Sequence, residues 1–279
     1  MIPLIDSVSE IEPGGICITG MPFDHQSSYR QGAAMAPARI REGLYCPSSN
    51  LWTETGLDLG SMTMLSDLGD LVADDEAQIH PAITRHVQEI LEQGAKLATL
   101  GGDHAITYPI IEAFAAKHKD LTIVHLDAHP DLYDHLEGNR LSHACPFARI
   151  MENGWASHLI QIGIRTMNGH QREQAKKYGV TVYEMHQGEV WKDQLSFDGP
   201  VYLSIDLDCM DPGFAPGVSH FEPGGMTTRQ VIDVIHGLGG QLVGADIVEY
   251  NPDRDHLNMT AMVAAKLLKE VIGRLVSPA

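Results

Sequence analysis

Cysteine is scarce in this 279-residue chain: Cys17, Cys46, Cys145 and Cys209 stand far apart, with no Cys-x-x-Cys pair. That excludes a thiolate zinc site and a disulfide framework, and leads to the expectation of a reducing, cytoplasmic compartment. Basic residues are also few. Lys and Arg number 19 against 37 Asp and Glu, a net charge of −18, and such a field repels phosphate backbones and anionic lipid while attracting cations. Neither nucleic acid nor a membrane is therefore expected as a partner. Apolar runs are broken every few residues by charge or glycine, far short of the roughly 18 that a span requires. The segment Met1–Glu12 holds Asp6, Glu10 and Glu12 but no basic residue, which fits neither a secretory signal nor an Arg-rich transit peptide. Repeats, low-complexity tracts and Pro/Gly/Ser linkers are missing too, so residues 1–279 read as one domain.

What is present is a succession of short, non-alternating apolar runs: Ile16–Thr19, Leu97–Leu100, Thr122–Leu126, Leu159–Ile164, Val180–Tyr183, Val201–Ile205 and Leu242–Ile247. Such runs suit strands buried on both faces. Between many of them lie stretches of helical spacing, among them Gln78–Gln93, Ile106–Lys119, Gln171–Tyr178, Arg229–His236 and Met259–Val276. Gly94, Gly179 and Thr227 or Thr228 mark helix ends. The alternation predicts an α/β protein, a single-domain three-layer α/β/α unit with a mostly parallel central sheet.

In open sheets of this kind the ligand site lies beyond the carboxyl ends of the strands, and polar residues cluster there. Gly101-Gly102-Asp103-His104 follows one run, Asp127-Ala128-His129-Pro130-Asp131 another, Asp206-Leu207-Asp208 a third, and Asp246 to Glu249 a fourth. Asp127, His129 and Asp131 are spaced i, i+2, i+4, which puts side chains on one face of an extended chain. With Asp206, Asp208 and His104 they make an oxygen-rich, nitrogen-assisted set without sulfur, which suits Mn²⁺ or a similar first-row divalent ion better than structural zinc. Four aspartates in one cleft would repel one another, and two divalent cations would balance them. Most of the 15 histidines have no such company and read as bystanders. Gly101-Gly102 reads as a backbone turn, Cys145 and Cys209 as small buried hydrophobes, and Met259–Val276 as a core helix.

These motifs, with Ser-His-Ala-Cys-Pro-Phe at 142–147, Ser-Ile-Asp-Leu-Asp-Cys-Met-Asp-Pro-Gly-Phe-Ala-Pro-Gly at 204–217 and Gly-Ala-Asp-Ile-Val-Glu at 244–249, resemble the ureohydrolases, the arginase and agmatinase family of binuclear manganese amidinohydrolases. The resemblance runs from about Gly20 to Val276. Glu137 to His143, Gly217 to His220 and Asn251 to Asp255 look most like the plant-type arginases. It implies an arginase-like fold and two Mn²⁺ per chain, one among His104, Asp127, Asp131 and Asp206, the other among Asp127, His129, Asp206 and Asp208. Asp127 and Asp206 would then be shared. It further implies that His143 carries protons, that Glu249 grips the substrate guanidinium, and that His143, Glu249 and Asp131 count as catalytic. Asn139, four residues before His143, is placed with Glu249 and His143 among the substrate-binding residues.

The implied function is cleavage of a small cationic guanidino substrate to urea and a primary amine, with L-arginine to L-ornithine first and agmatine to putrescine or another guanidino acid as alternatives. The aspartate that animal arginases use near the Gly-Ile-Arg strand end has no evident match at Gly163-Ile164-Arg165-Thr166-Met167-Asn168, so the substrate's tail is left open. Other classes compete: a binuclear peptidase or phosphoesterase, a one-metal deacetylase, or a non-catalytic metal-binding protein. The resemblance also leads to the expectation of a homo-oligomer, a trimer or hexamer.

Overall fold

Each strand supplies side chains to two helical layers at once. In the computed structural model, which describes residues 1–73 and 75–277, eight strands form one sheet: β1 (Ile16–Met21), β2 (Leu65–Asp70), β3 (Lys96–Gly101), β4 (Thr122–Leu126), β5 (His158–Ile164), β6 (Thr181–Glu184), β7 (Pro200–Asp206) and β8 (Gln241–Val248). Their order across the sheet is β2-β1-β3-β8-β7-β4-β5-β6, and the neighbouring pairs run parallel. Asp74 and the last two positions of the expected 1–279 unit lie outside the described residues.

Seven α-helices cover the two faces. On one side α1 (Ala36–Leu44), α6 (Thr228–Gly237) and α7 (Met259–Val276) pack a cluster with Ile18, Val124, Leu203 and Ala245. On the other, α2 (Ile79–Glu92), α3 (Thr107–Lys117), α4 (Pro146–Glu152) and α5 (Gly169–Tyr178) pack a cluster with Cys17, Ile123, Tyr202 and Val243. Successive residues of a strand point to opposite clusters, which is why the strands read as unbroken apolar runs. The helix ends follow their chemistry. Gly179 stops α5 in the left-handed region at φ 66°, and Thr227 caps α6 in a capping box with Gln230.

Three elements depart from the periodicity. Strand β2 carries Asp67 and Asp70 because it is an edge strand, and Arg41 binds Asp67 through two nitrogens at 2.7 and 2.8 Å. Helices α1 and α4 are only 9 and 7 residues long, too short for a helical period to stand out.

The strand order opens a gap in the middle. The chain leaves β3 and crosses to β4, and β7 and β8 later fill the two positions between. The carboxyl ends of these four central strands therefore meet at one rim, the place where such sheets bind ligands. Gly102 sits at that rim for a steric reason. A Cβ there would meet the Phe23 carbonyl oxygen at 1.8 Å, while its own carbonyl accepts the Glu249 N–H at 2.9 Å. Close approach, not a turn conformation, is thus what Gly101-Gly102 provides. Gly102→Ala should lose about 1–3 kcal/mol of stability from overpacking. Urea unfolding would check this, and a wild-type midpoint would contradict the steric assignment.

Candidate metal and catalytic site

Beyond β4 the chain turns sharply enough that Asp131 adopts φ 48°, and Glu249, beyond β8, adopts φ 63°. A left-handed backbone at a non-glycine residue costs on the order of 1–3 kcal/mol and is kept where the surroundings enforce it. Here it turns both carboxyl groups into one cavity of 230 Å³, whose lining includes His129, Asp131, Asp206, Asp208, His143 and Glu249.

His104 arrives from the end of β3, fully buried. Its Nδ1 lies 3.2 Å from Asp127 Oδ2, 3.1 Å from Asp131 Oδ2 and 3.2 Å from Asp206 Oδ2. A second focus forms at His129 Nδ1, 3.3 Å from Asp127 Oδ1 and 3.0 Å from Asp208 Oδ2. Asp127 joins the two, one oxygen to each. Backbone amides hold three of the carboxylate oxygens: His129 N–H donates to Asp127 Oδ1 at 2.6 Å, Ala128 N–H to Asp208 Oδ1 at 3.1 Å, and Asp208 N–H to Asp206 Oδ1 at 2.8 Å.

Whether these residues fit a cation can be decided at His104. Ser204 Oγ donates to Asp246 Oδ1 at 2.6 Å and so accepts from His104 Nε2–H at 2.9 Å. Asp246 is anchored in turn by the hydroxyls of Thr107 and Tyr202 at 2.9 and 2.8 Å. The other ring nitrogen, Nδ1, is buried and makes no hydrogen bond, although three carboxylate oxygens stand at nearly equal distance around it. A proton would aim at one of them. A nitrogen lone pair facing three oxygens without a directed bond is the donor set of a metal ion, and the residues fit one.

His125 is excluded as a ligand despite its proximity to His104 and Asp127. Both its nitrogens are engaged, by Asp127 Oδ2 at 2.8 Å and Gln161 Nε2 at 3.0 Å, which leaves no lone pair for an ion.

His143 and Glu249 stand on the same cavity. Glu249 Oε1 accepts from His104 N–H at 2.9 Å and from His143 Nδ1 at 2.9 Å; among the described residues no protein donor reaches Oε2. His143 Nε2 meets Ser28 Oγ at 2.8 Å. Burial opposes the His143 cation, but the Glu249 carboxylate prevails and raises the imidazole to about 9. Asp103 lies beside this pair, pushed up to about 7 by burial and then by Glu249. It caps the His104 turn by accepting Ala105 N–H at 3.0 Å.

The structure thus brings His104, Asp127, His129, Asp131, Asp206, Asp208, His143 and Glu249 together. Asn139 stands apart: it is exposed, its Nδ2 donates to Gln26 Oε1 at 2.7 Å and its Oδ1 accepts Leu141 N–H at 2.9 Å, and it does not line the cavity. Ser28, Tyr133, Thr166, Gln171 and His220 do. Thr166 follows the Leu159–Ile164 run and His220 lies in the Gly217 to His220 motif; Ser28, Tyr133 and Gln171 stand away from any strand end and carry no such signal.

Without a cation, protons must supply the positive charge. Burial disfavours the imidazolium forms of His104 and His129, yet the facing carboxylates hold both well above the ordinary histidine value. Between pH 6.5 and 9 the folded metal-free protein then binds protons that the unfolded chain has released, and its stability must fall as pH rises. A bound cation displaces those two protons, so Tm against pH over this window should be steeper in chelator than in Mn²⁺. Equal slopes would contradict the assignment.

Comparison with known proteins now adds to this geometry. A family model described as "Arginase family" matches residues 15–273. "Arginase 2, chloroplastic/mitochondrial" of Arabidopsis thaliana is 45% identical over 276 residues, covering 92% of this chain and 80% of that protein. "Agmatinase" of Bacillus anthracis is 33% identical over 283 residues, covering 96% and 94%. Among solved structures, "Arginase from Medicago truncatula" superposes with a TM-score of 0.89 at 40% identity, covering 94% of this chain and 88% of that one. The cytoplasmic expectation is contradicted by the Arabidopsis relative, whose name places that protein in the chloroplast or mitochondrion. Unpaired cysteines separate reducing from oxidising compartments; they do not separate one reducing compartment from another.

Proposed function

This chain belongs to the arginase family, and we propose that it hydrolyses L-arginine to L-ornithine and urea as one catalytic unit. One observation carries the reading at the site: Glu249 has one oxygen bound by His104 N–H and His143 and the other, among the described residues, without a protein donor, beside the carboxylate cluster. The choice of arginine is supported by the higher identity to the Arabidopsis arginase than to the Bacillus agmatinase, 45% against 33%. Agmatine is the second reading, and the agmatinase likeness over 96% of the chain favours it.

Two Mn²⁺ would be held by His104, Asp127, His129, Asp131, Asp206 and Asp208, with Asp127 and Asp206 shared. Bound there, such ions supply Lewis-acid charge and lower the pKa of water from 15.7 towards about 7. The chain's own residues do the rest. Glu249 Oε2 accepts guanidinium N–H bonds, a charge-assisted contact that favours a cationic substrate. His143, hydrogen-bonded through Nδ1 to the Glu249 carboxylate, which favours its imidazolium form, is placed to carry a proton on Nε2. It passes that proton to the departing amine, which cannot leave as an anion. Ser28, hydrogen-bonded to Nε2, keeps the ring turned toward the cavity. Asn139, outside the cavity, would act only through Gln26, which accepts its Nδ2–H and whose backbone carbonyl accepts His143 N–H at 3.2 Å. Assembly as a trimer or hexamer is proposed on the family resemblance.

Urea release over arginine, agmatine, guanidinobutyrate and guanidinopropionate tests the substrate; arginine should be turned over fastest, and release from agmatine alone would move the assignment to the second reading. Glu249→Gln should keep its metal yet abolish urea release. His143→Asn should keep its metal and lose about 10²–10⁴-fold in turnover. Full activity in His143→Asn would reduce that histidine to a structural partner of Glu249.

A further inference from the structure

His125 on β4 and Gln161 on β5 face one another in register, are fully buried, and have no part in the chemistry above. Their hydrogen bonds determine each other. The Pro130 carbonyl oxygen can only accept, so the Gln161 side-chain atom 2.6 Å from it is the amide nitrogen, donating. That nitrogen also lies 3.0 Å from His125 Nδ1 and has a second hydrogen to give. Nδ1 must then be an acceptor, and the neutral ring carries its proton on Nε2. Nε2 is 2.8 Å from Asp127 Oδ2 and donates to it. The ring plane is held by Phe147, stacked at 3.9 Å between centroids.

We propose that Gln161 and His125 are positioning residues, a buried brace that fixes the Asp127 carboxylate for the cation position it shares; the proposal rests on the two-cation reading of the site. Asp127 can serve both foci only in one orientation, with Oδ1 toward His129 and Oδ2 toward His104. His129 N–H holds Oδ1, and His125 holds Oδ2. Rotation of the carboxylate would forfeit both. Gln161 does a second thing through the same nitrogen: by binding the Pro130 carbonyl it ties down the peptide that leads into Asp131, whose backbone is strained at φ 48°. One amide therefore couples the shared ligand to the turn that carries the next one. Such outer contacts to metal ligands are typically worth 10–100-fold in metal affinity.

The test is Mn²⁺ binding to the full chain, followed calorimetrically and by elemental analysis, with Tm of the metal-free protein measured alongside. Gln161→Met keeps the volume and removes both donors; His125→Phe keeps the stacking and removes one; His125→Gln restores an N–H near Asp127. The first two should weaken Mn²⁺ binding by about 10–100-fold, and His125→Gln should recover part of the loss. Wild-type affinity in Gln161→Met and His125→Phe overturns the brace, as does a lowered metal-free Tm with unchanged affinity. If His125→Phe does not fold, Gln161→Met decides alone. Failure of wild-type protein to bind two Mn²⁺ is a separate result and overturns the site reading on which the brace depends.

Discussion

Four aspartates buried at the ends of two adjacent strands repel one another, and much of the architecture around them answers that repulsion. Like charges about 4 Å apart cost on the order of 4 kcal/mol at an effective dielectric of 20, and more in a dry pocket. Asp127 and Asp131 follow β4, Asp206 ends β7 and Asp208 lies just beyond it, and these strands pair directly. Backbone amides from Ala128, His129 and Asp208 donate into the group, but amides cannot neutralise four charges. Two imidazoles face the carboxylates, and the geometry at His104 leaves room for an ion where a directed hydrogen bond is missing. The sheet order serves the same end, because only strands gathered at one rim can bring ligands from β3, β4 and β7 to a common point.

The polar frame behind the ligands is as specific as the ligands. Asp246 collects three hydroxyl donors and through Ser204 orients His104. Gln161 reaches Asp127 through His125. These side chains sit one layer further into the sheet than the ligands, at 0% exposure, where a hydrogen-bonded side chain hardly moves. Rigidity is supplied from inside the sheet, while the cavity face keeps His129, His143, His220 and the free oxygen of Glu249.

What was legible in the sequence was what the strand period exposes. Buried parallel strands write unbroken apolar runs, and the residues just after them, His104, Asp127 to Asp131, Asp206, Asp208 and Glu249, announced the site. Elements governed by tertiary contacts were not legible. Strand β2 hides behind Asp67 because Arg41 neutralises it across the edge, and α1 and α4 are short. Gly102 looked like a turn because sequence cannot reveal that the Phe23 carbonyl would collide with a side chain. Ser28 comes from a loop far away in the chain, and only folding places it on His143. The pairing of His143 with Glu249 had no signal either, since 106 residues separate them.

The proposed function requires two cation positions joined by Asp127. Crystals grown with Mn²⁺ and measured on both sides of its absorption edge give the most direct test. Two anomalous peaks per chain are predicted, one at His104 Nδ1 and one at His129 Nδ1, with an Asp127 oxygen toward each. A single peak, or peaks away from Asp127 under saturating Mn²⁺, would contradict it.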